Sequence, residues 1–313
     1  MIQPFPLWER PEHLADALRS LIAAAPPCGA LAVTMTGELA DCFQTKREGV
    51  ARILQHLATA AEGRQTRVYL IGGKLVSTQV ALRQPLAAAA SNWHALARFA
   101  GRFAPQGPAL LVDIGSTTTD LVPLVAGQPR AQGTNDPERL ACGELFYTGV
   151  ERSPVCAVVG GLPWRGRSCP VAQELFATTR DAYLVLGELP PEPDNTDTAD
   201  RRGATSELAR DRLARSICAD REMFDDGDAR AAAEAIQRGQ LVKLSQSARR
   251  VLRRLPGPVA TVIICGRGEF LARRLVEEIP LSVPVVSLSE ILGPEISRCA
   301  TAHALAVLAQ EGV

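Results

Sequence analysis

Two apolar runs joined by a short polar bend constrain this chain more than any other feature. Residues 109–114 form a near-continuous apolar strand that carries Asp113 at its end, and Leu121 to Val125 read as a second strand. Between them lie Gly115, Ser116, Thr117, Thr118, Thr119 and Asp120, all small or polar. An ordinary hairpin closes with two residues such as Asn-Gly; this bend is longer and dense in donors. Gly115 has no Cβ, so backbone there can approach a ligand closely. The hydroxyls and N–H groups of residues 115–119 can form an anion-binding nest. Asp113 and Asp120 are hard oxygen donors suited to Mg²⁺. The spacing predicts a strand–turn–strand unit that holds a phosphate and a metal.

A second stretch, Val262-Ile263-Ile264-Cys265-Gly266-Arg267-Gly268-Glu269, runs from a strand through Gly-x-Gly into a helix. That order places bare backbone and a helix N-terminus near an anion. It lacks the third glycine of a dinucleotide fingerprint, which argues against a nicotinamide-binding Rossmann site.

Around these motifs strands alternate with helical periodicity, the pattern of an α/β protein. Helices are expected over 11–24, from Glu38 to about Glu62, over 91–103, 206–219, 228–255 and 269–278, and as a closing helix over 294–310. Residues 137–150 are expected to be partly helical and 170–187 to carry a helix. Further strands are expected over 30–35, 68–71, 259–265 and 283–286. Pro105-Gln106-Gly107-Pro108 marks a lobe boundary, with a first lobe over 1–108 and a second over 109–313. Residues 190–203 are polar and Pro-rich, and are expected to be a mobile loop.

Lys+Arg and Asp+Glu are both 34, so the chain lacks the basic footprint of a nucleic-acid binder. The arginines at 249, 250, 253 and 254 read as a solvated helix face. No apolar run reaches the ~18 residues of a membrane span, and the start lacks the charged and apolar regions of a secretory signal. The eight cysteines include no Cys-x-x-Cys; they are expected to be buried free thiols in a cytoplasmic protein. The four histidines share no metal-binding spacing and are expected in packing or surface roles.

The two motifs, in this order, resemble the second half of the sugar-kinase/Hsp70/actin (ASKHA) superfamily. The threonine-rich bend is similar to the hydantoinase A/oxoprolinase group. Within that group the chain most resembles the tetrahydromethanopterin-linked C1-transfer branch, the methanofuran-biosynthesis ether synthases. Pro6-Leu7-Trp8, the run from Val33 to Asp41, Thr45-Lys46-Arg47-Glu48-Gly49-Val50, Ala90-Ser91-Asn92-Trp93, Tyr147-Thr148-Gly149 and Arg152-Ser153-Pro154 agree with that branch.

The resemblance implies an actin-like/RNase H-like two-lobed ASKHA fold with mixed sheets. It also implies a first phosphate loop ahead of Pro6-Leu7-Trp8, which this sequence does not contain. The expectation is a first lobe shortened at its N-terminus, either because the start is placed too late, the favoured reading, or because its first strands are missing. The implied reaction condenses an aminomethylfuran methyl diphosphate with γ-glutamyltyramine and releases pyrophosphate, with Mg²⁺. The implied roles are catalytic for Asp113, Asp120, Glu38 and Lys46, and metal-binding for Asp113 and Asp120. Gly115, Ser116, Thr117, Thr118, Thr119, Gly266 and Gly268 would bind phosphate. Asp41, Asn92, Asp181, Asp197, Asp200 and Glu269 would meet substrate. The expected partners are the small-molecule diphosphate and phenolic amine, with no nucleic acid or membrane and with homo-oligomers allowed. Two other readings stand beside it: an ATP-dependent amidohydrolase or small-molecule kinase, and a non-catalytic member of the superfamily.

Overall fold

The computed structural model describes residues 1–279 and 282–312. The chain forms two compact units, each assembled from separated segments. The first takes Met1–Leu111, Val122–Ala141 and Leu288–Val313, and the second takes Val112–Leu121 and Cys142–Ser287. The division is therefore not a single cut at residue 108. The two strands of the polar bend begin and end in the first unit and carry the bend itself in the second.

In the first unit, Ala30–Val33 pairs parallel with Gln65–Leu70, which pairs antiparallel with Lys74–Ser77. Sequence periodicity missed that third strand because it is only four residues long. Helix Lys46–Ala61 lays Val50, Ile53, Leu54 and Leu57 against Met35, Val68 and Leu70. A helix from Glu38 was expected, but the structure starts it at Lys46. The cap decides this: Thr45 Oγ1 accepts from Glu48 N at 3.1 Å, and Glu48 Oε2 accepts from Gln44 N at 2.9 Å. Together these satisfy two N–H groups at the helix start. Residues 37–43 turn instead, with Ala40 N donating to Gly37 O. Tyr69, Leu75 and Ala95 meet Leu305 and Leu308 of the C-terminal helix Ala300–Gln310. At the base of the hairpin, Gln128–Pro129 pairs with Leu124–Val125.

In the second unit the long helix Asp226–Leu252 is the spine. Its Ala229, Ala232, Ala233 and Ile236 pack against Leu162, Leu213, Ala214 and Phe224. Thr261–Cys265 pairs parallel with Val285–Ser287 and adjoins the strand Pro108–Ile114. Leu145–Phe146 pairs with Thr119 and Asp120, so residues 137–150 are helical only over Asp136–Cys142. The helix expected within 170–187 spans Thr179–Val185, and the segment before it is the strand Arg167–Pro170.

Residues 190–203, expected to be mobile, are tied down. Glu192 and Ala204 form an antiparallel bridge, Thr198 Oγ1 donates to Arg202 O at 2.6 Å, and Arg212 holds Asp200 at 3.0 Å. Side chains of the loop bond its own backbone, Asn195 accepting from Asp197 N, Asp200 from Arg202 N, and Thr198 donating to Arg202 O.

The cysteines are all free. Only Cys265 is buried, while Cys28 and Cys218 are exposed and the other five are half-buried. Flanking apolar residues overstated their burial. The arginines expected on a solvated face are partly engaged, since Arg254 bonds Cys142 O at 2.7 Å and Glu144 at 3.0 Å. Among the described residues no helix is long and apolar enough to cross a membrane.

Candidate functional site

Leu110, Leu111 and Val112 are wholly buried, and this run of the strand delivers Asp113 to the bend. Gly115 N donates to Thr118 O at 2.9 Å and closes the turn. Gly115 through Thr118 remain partly exposed. Thr119 does not join them: it is buried, and its hydroxyl donates to Thr148 O at 2.8 Å. Its side chain anchors the bend, unlike the phosphate contact expected of it.

The bend is braced from behind. Val150 N donates to Gly115 O at 3.0 Å, and Glu151 N and Arg152 N both donate to Ser116 O, at 2.9 and 3.1 Å. Gly149 permits this approach, because a Cβ there would stand 2.4 Å from Ser116 C. Gln240 Nε2 fixes the brace by donating to Gly149 O and Thr148 Oγ1, and Gln240 Oε1 accepts in turn from the Tyr183 hydroxyl at 2.6 Å.

Burial and the charge of Asp120 together push the Asp113 carboxyl up to about 7, against an ordinary value of 3.8. The Cys265 thiol donates to Asp113, which opposes that rise. Burial and the neighbouring carboxylates raise the thiol's own pKa well above the usual range. Two acids this close favour the state in which a proton or a cation lies between them.

Gly266 has φ +92°, and a Cβ there would lie 2.3 Å from Ile114 O and 2.4 Å from Asp113 Oδ1. Gly268 N donates to Ile114 O at 2.8 Å. Both glycines of the second motif thus serve to bring its turn against Asp113. The arginine between them was not singled out from sequence. Arg267 Nε pairs with Glu151 and Nη2 bonds Glu192 at 2.9 Å, while Glu151 also takes Arg180 at 2.5 Å. Its position between two glycines was the available signal.

The other expected substrate residues of this unit are structurally committed. Asp181 is buried; its Oδ2 accepts from Thr178 N in a capping box, and its Oδ1 accepts from Arg212 Nε at 2.7 Å. Asp200 is shared by Arg212 and Arg215. Asp197 is exposed, 3.5 Å from Arg152. Glu269 accepts from Arg273 at 3.2 Å and from the Ser287 hydroxyl.

The first unit holds a separate group. Glu38 is 1% exposed, and its Oε2 has no hydrogen-bond partner. Its Oε1 lies 4.0 Å from Lys46 Nζ, and that nitrogen bonds Asp136 at 2.5 Å. Burial raises the Glu38 pKa, with Lys46 opposing and Asp136 reinforcing the rise. Asp136 was missed because Asn135-Asp136-Pro137-Glu138 reads as a plain helix start. Asp41 is exposed. Asn92 is the first residue of helix Asn92–Ala100, and the buried Trp93 carries the Arg139 guanidinium 3.8 Å above its ring.

Among the described residues no group of three or more His, Cys, Asp or Glu could hold a metal. Mg²⁺ needs less from a protein: one or two carboxylates, with waters and phosphate oxygens completing its octahedron. The Asp113–Asp120 pair fits that demand.

A family model described as hydantoinase/oxoprolinase matches residues 30–311. The (4-{4-[2-(gamma-L-glutamylamino)ethyl]phenoxymethyl}furan-2-yl)methanamine synthase of Methanocaldococcus jannaschii is 31% identical over 307 residues, covering 98% of this chain and 89% of that one. The synthase of the same name from Methanococcus vannielii is 26% identical over 201 residues, covering 64% of this chain and 89% of its own. Among solved structures, nucleotide-free acetone carboxylase superposes with a TM-score of 0.51 at 14% identity over 95% of this chain. This chain spans only 49% of that one. That likeness, with mixed sheets and flanking helices, gives an α/β fold shared with acetone carboxylase. The chain belongs to the hydantoinase/oxoprolinase family.

Proposed function

We propose that this chain is the ether synthase of methanofuran-type cofactor assembly. In this reading it joins an aminomethylfuran methyl diphosphate to γ-glutamyltyramine and releases pyrophosphate. The phenol oxygen of the amine forms a bond to the furan CH₂ as the C–O bond to the diphosphate breaks. Pyrophosphate leaves with the bonding electron pair, and the phenol proton passes to a base. The single observation that carries the reading is the Asp113–Asp120 pair at the mouth of an open donor-rich turn. Similarity to two synthases of that name, over 98% of this chain for one and 64% for the other, supports it.

Charge builds on the leaving diphosphate as its bond breaks, so donors fixed in advance lower the barrier most. Amides and hydroxyls of Ser116 to Thr118 lie in a turn held by the brace at residues 149–152 and need no reorganisation at that moment. A Mg²⁺ held by Asp113 and Asp120 would neutralise part of the developing charge. The charge of Asp113 and Asp120 would keep the turn from accepting an anion without such a cation.

The test is a coupled assay for pyrophosphate with both substrates and Mg²⁺, run with and without ATP. Wild-type protein should release one pyrophosphate per ether without ATP. Asp113→Ala should lower turnover by about 10² to 10³, the scale of losing a charge-stabilising group, while circular dichroism stays unchanged. Wild-type turnover in a folded Asp113→Ala protein would refute the assignment.

A further inference from the structure

The bend and the glycine turn carry three carboxylates between them, Asp113, Asp120 and Glu269, yet the ligand proposed for them is a multiply charged anion. Residues 113–120 and 265–269 contain one cationic side chain, Arg267. Its backbone is pulled against the bend on both sides. Gly266 abuts Asp113 with no room for a Cβ, and Gly268 N bonds Ile114 O. The guanidinium is 28% exposed and its fork is used through Nε and Nη2, on Glu151 and Glu192.

Glu151 is placed by the same brace that fixes the bend, since its own N–H donates to Ser116 O at 2.9 Å. It is 6% exposed and stands between two guanidiniums, those of Arg267 and Arg180. Arg180 is also 6% exposed, and its Nη1 has no hydrogen-bond partner. A buried guanidinium nitrogen without an acceptor is rare and calls for an explanation. Two carboxylates, Glu151 and Glu192, balance the two arginines, and the unpartnered Arg180 Nη1 leaves a buried donor that an incoming phosphate oxygen would satisfy.

We propose that Arg267 grips the diphosphate, exchanging Glu192 for a phosphate oxygen while Glu151 and Arg180 position it. The exchange keeps the arginine paired in both states, so no buried charge is left uncompensated when ligand departs. Arginine suits the task because its planar fork matches phosphate oxygens. The inference rests on the diphosphate chemistry proposed above.

Titration calorimetry with inorganic pyrophosphate and Mg²⁺ tests it without catalysis. Arg267→Ala should weaken binding at least tenfold, and Arg267→Lys should recover part of the loss. Glu192→Gln should tighten binding several-fold, because Arg267 then has one competitor fewer; a purely structural brace would give weaker binding there. Thermal melts of all three variants confirm that each is folded. A parallel titration with ADP and Mg²⁺ shows whether the diphosphate comes from a nucleotide or from an alkyl diphosphate, according to which binds more tightly in an Arg267-dependent way. Equal pyrophosphate affinity in wild-type and folded Arg267→Ala protein overturns the role of Arg267 alone. If wild-type protein binds neither ligand, the underlying diphosphate reading falls instead.

Discussion

Asp113 titrates in a range its residue type does not normally reach, and the consequence is a pH dependence with a definite sign. Its carboxyl is raised to about 7 by burial and by Asp120, from 3.8 in an unfolded chain. Between those values the folded chain keeps a proton that the unfolded chain releases. Stability from this group is therefore fully present below about pH 4 and is lost as pH rises through about 7. At ~1.4 kcal/mol per pH unit, the ceiling is about 4 kcal/mol. Urea denaturation of metal-free protein at pH 5 and pH 8 should show wild type losing stability relative to Asp113→Asn. Parallel curves for the two proteins would show that the Asp113 carboxyl is not raised in the folded chain. This coupling could not be read from sequence. The spacing of Asp113 and Asp120 identified them as a pair, but burial and the Cys265 thiol come from strand neighbours remote along the chain.

At the scale of elements, the bend is only as rigid as the segment behind it. Three N–H groups from residues 150–152 hold Gly115 O and Ser116 O, and the approach depends on the bare Cα of Gly149. Gly149→Ala should push the bend outward, since the nearest atoms are backbone and cannot rotate away. The expected result is a cost of about 1 to 3 kcal/mol, as for overpacking, with a larger loss of pyrophosphate affinity than of stability. Calorimetry and urea denaturation on the same variant would decide it; loss of stability alone would mean the bend absorbs the strain. The strands and long helices of this unit were legible because their periodicity is strong. The brace was not, because Tyr147-Thr148-Gly149 and Arg152-Ser153-Pro154 have no period and bond through backbone atoms. Thr119 shows the same limit: its residue type fits phosphate binding, and only its partner, Thr148 O, reveals its use.

For the whole molecule, neither compact unit is a continuous stretch of chain. The face of Tyr69, Leu75 and Ala95 is covered by Leu305 and Leu308, from the far end of the sequence. A fragment of residues 1–108 should therefore expose that face, bind a hydrophobic dye and melt without cooperativity. Within the intact chain, Leu308→Ala should cost about 2 to 4 kcal/mol, as buried leucines do. A cooperative transition in the fragment matching one in the full chain would contradict this organisation. A proline-rich break at 105–108 suggested the single cut because linkers and tight crossings share the same composition.

By itself the sequence determined the α/β class, the order of the principal elements and the strand–bend–strand that carries Asp113 and Asp120. These follow from local periodicity and from residue chemistry within a few positions of each other. Only the tertiary structure decided that Thr119 anchors, that Asp181 and Glu269 are held by arginines, and that Arg267 and Glu151 stand beside the bend. Those outcomes depend on which atoms fill each polar group's bonding capacity. Their partners lie up to scores of residues away, where only packing brings them within reach.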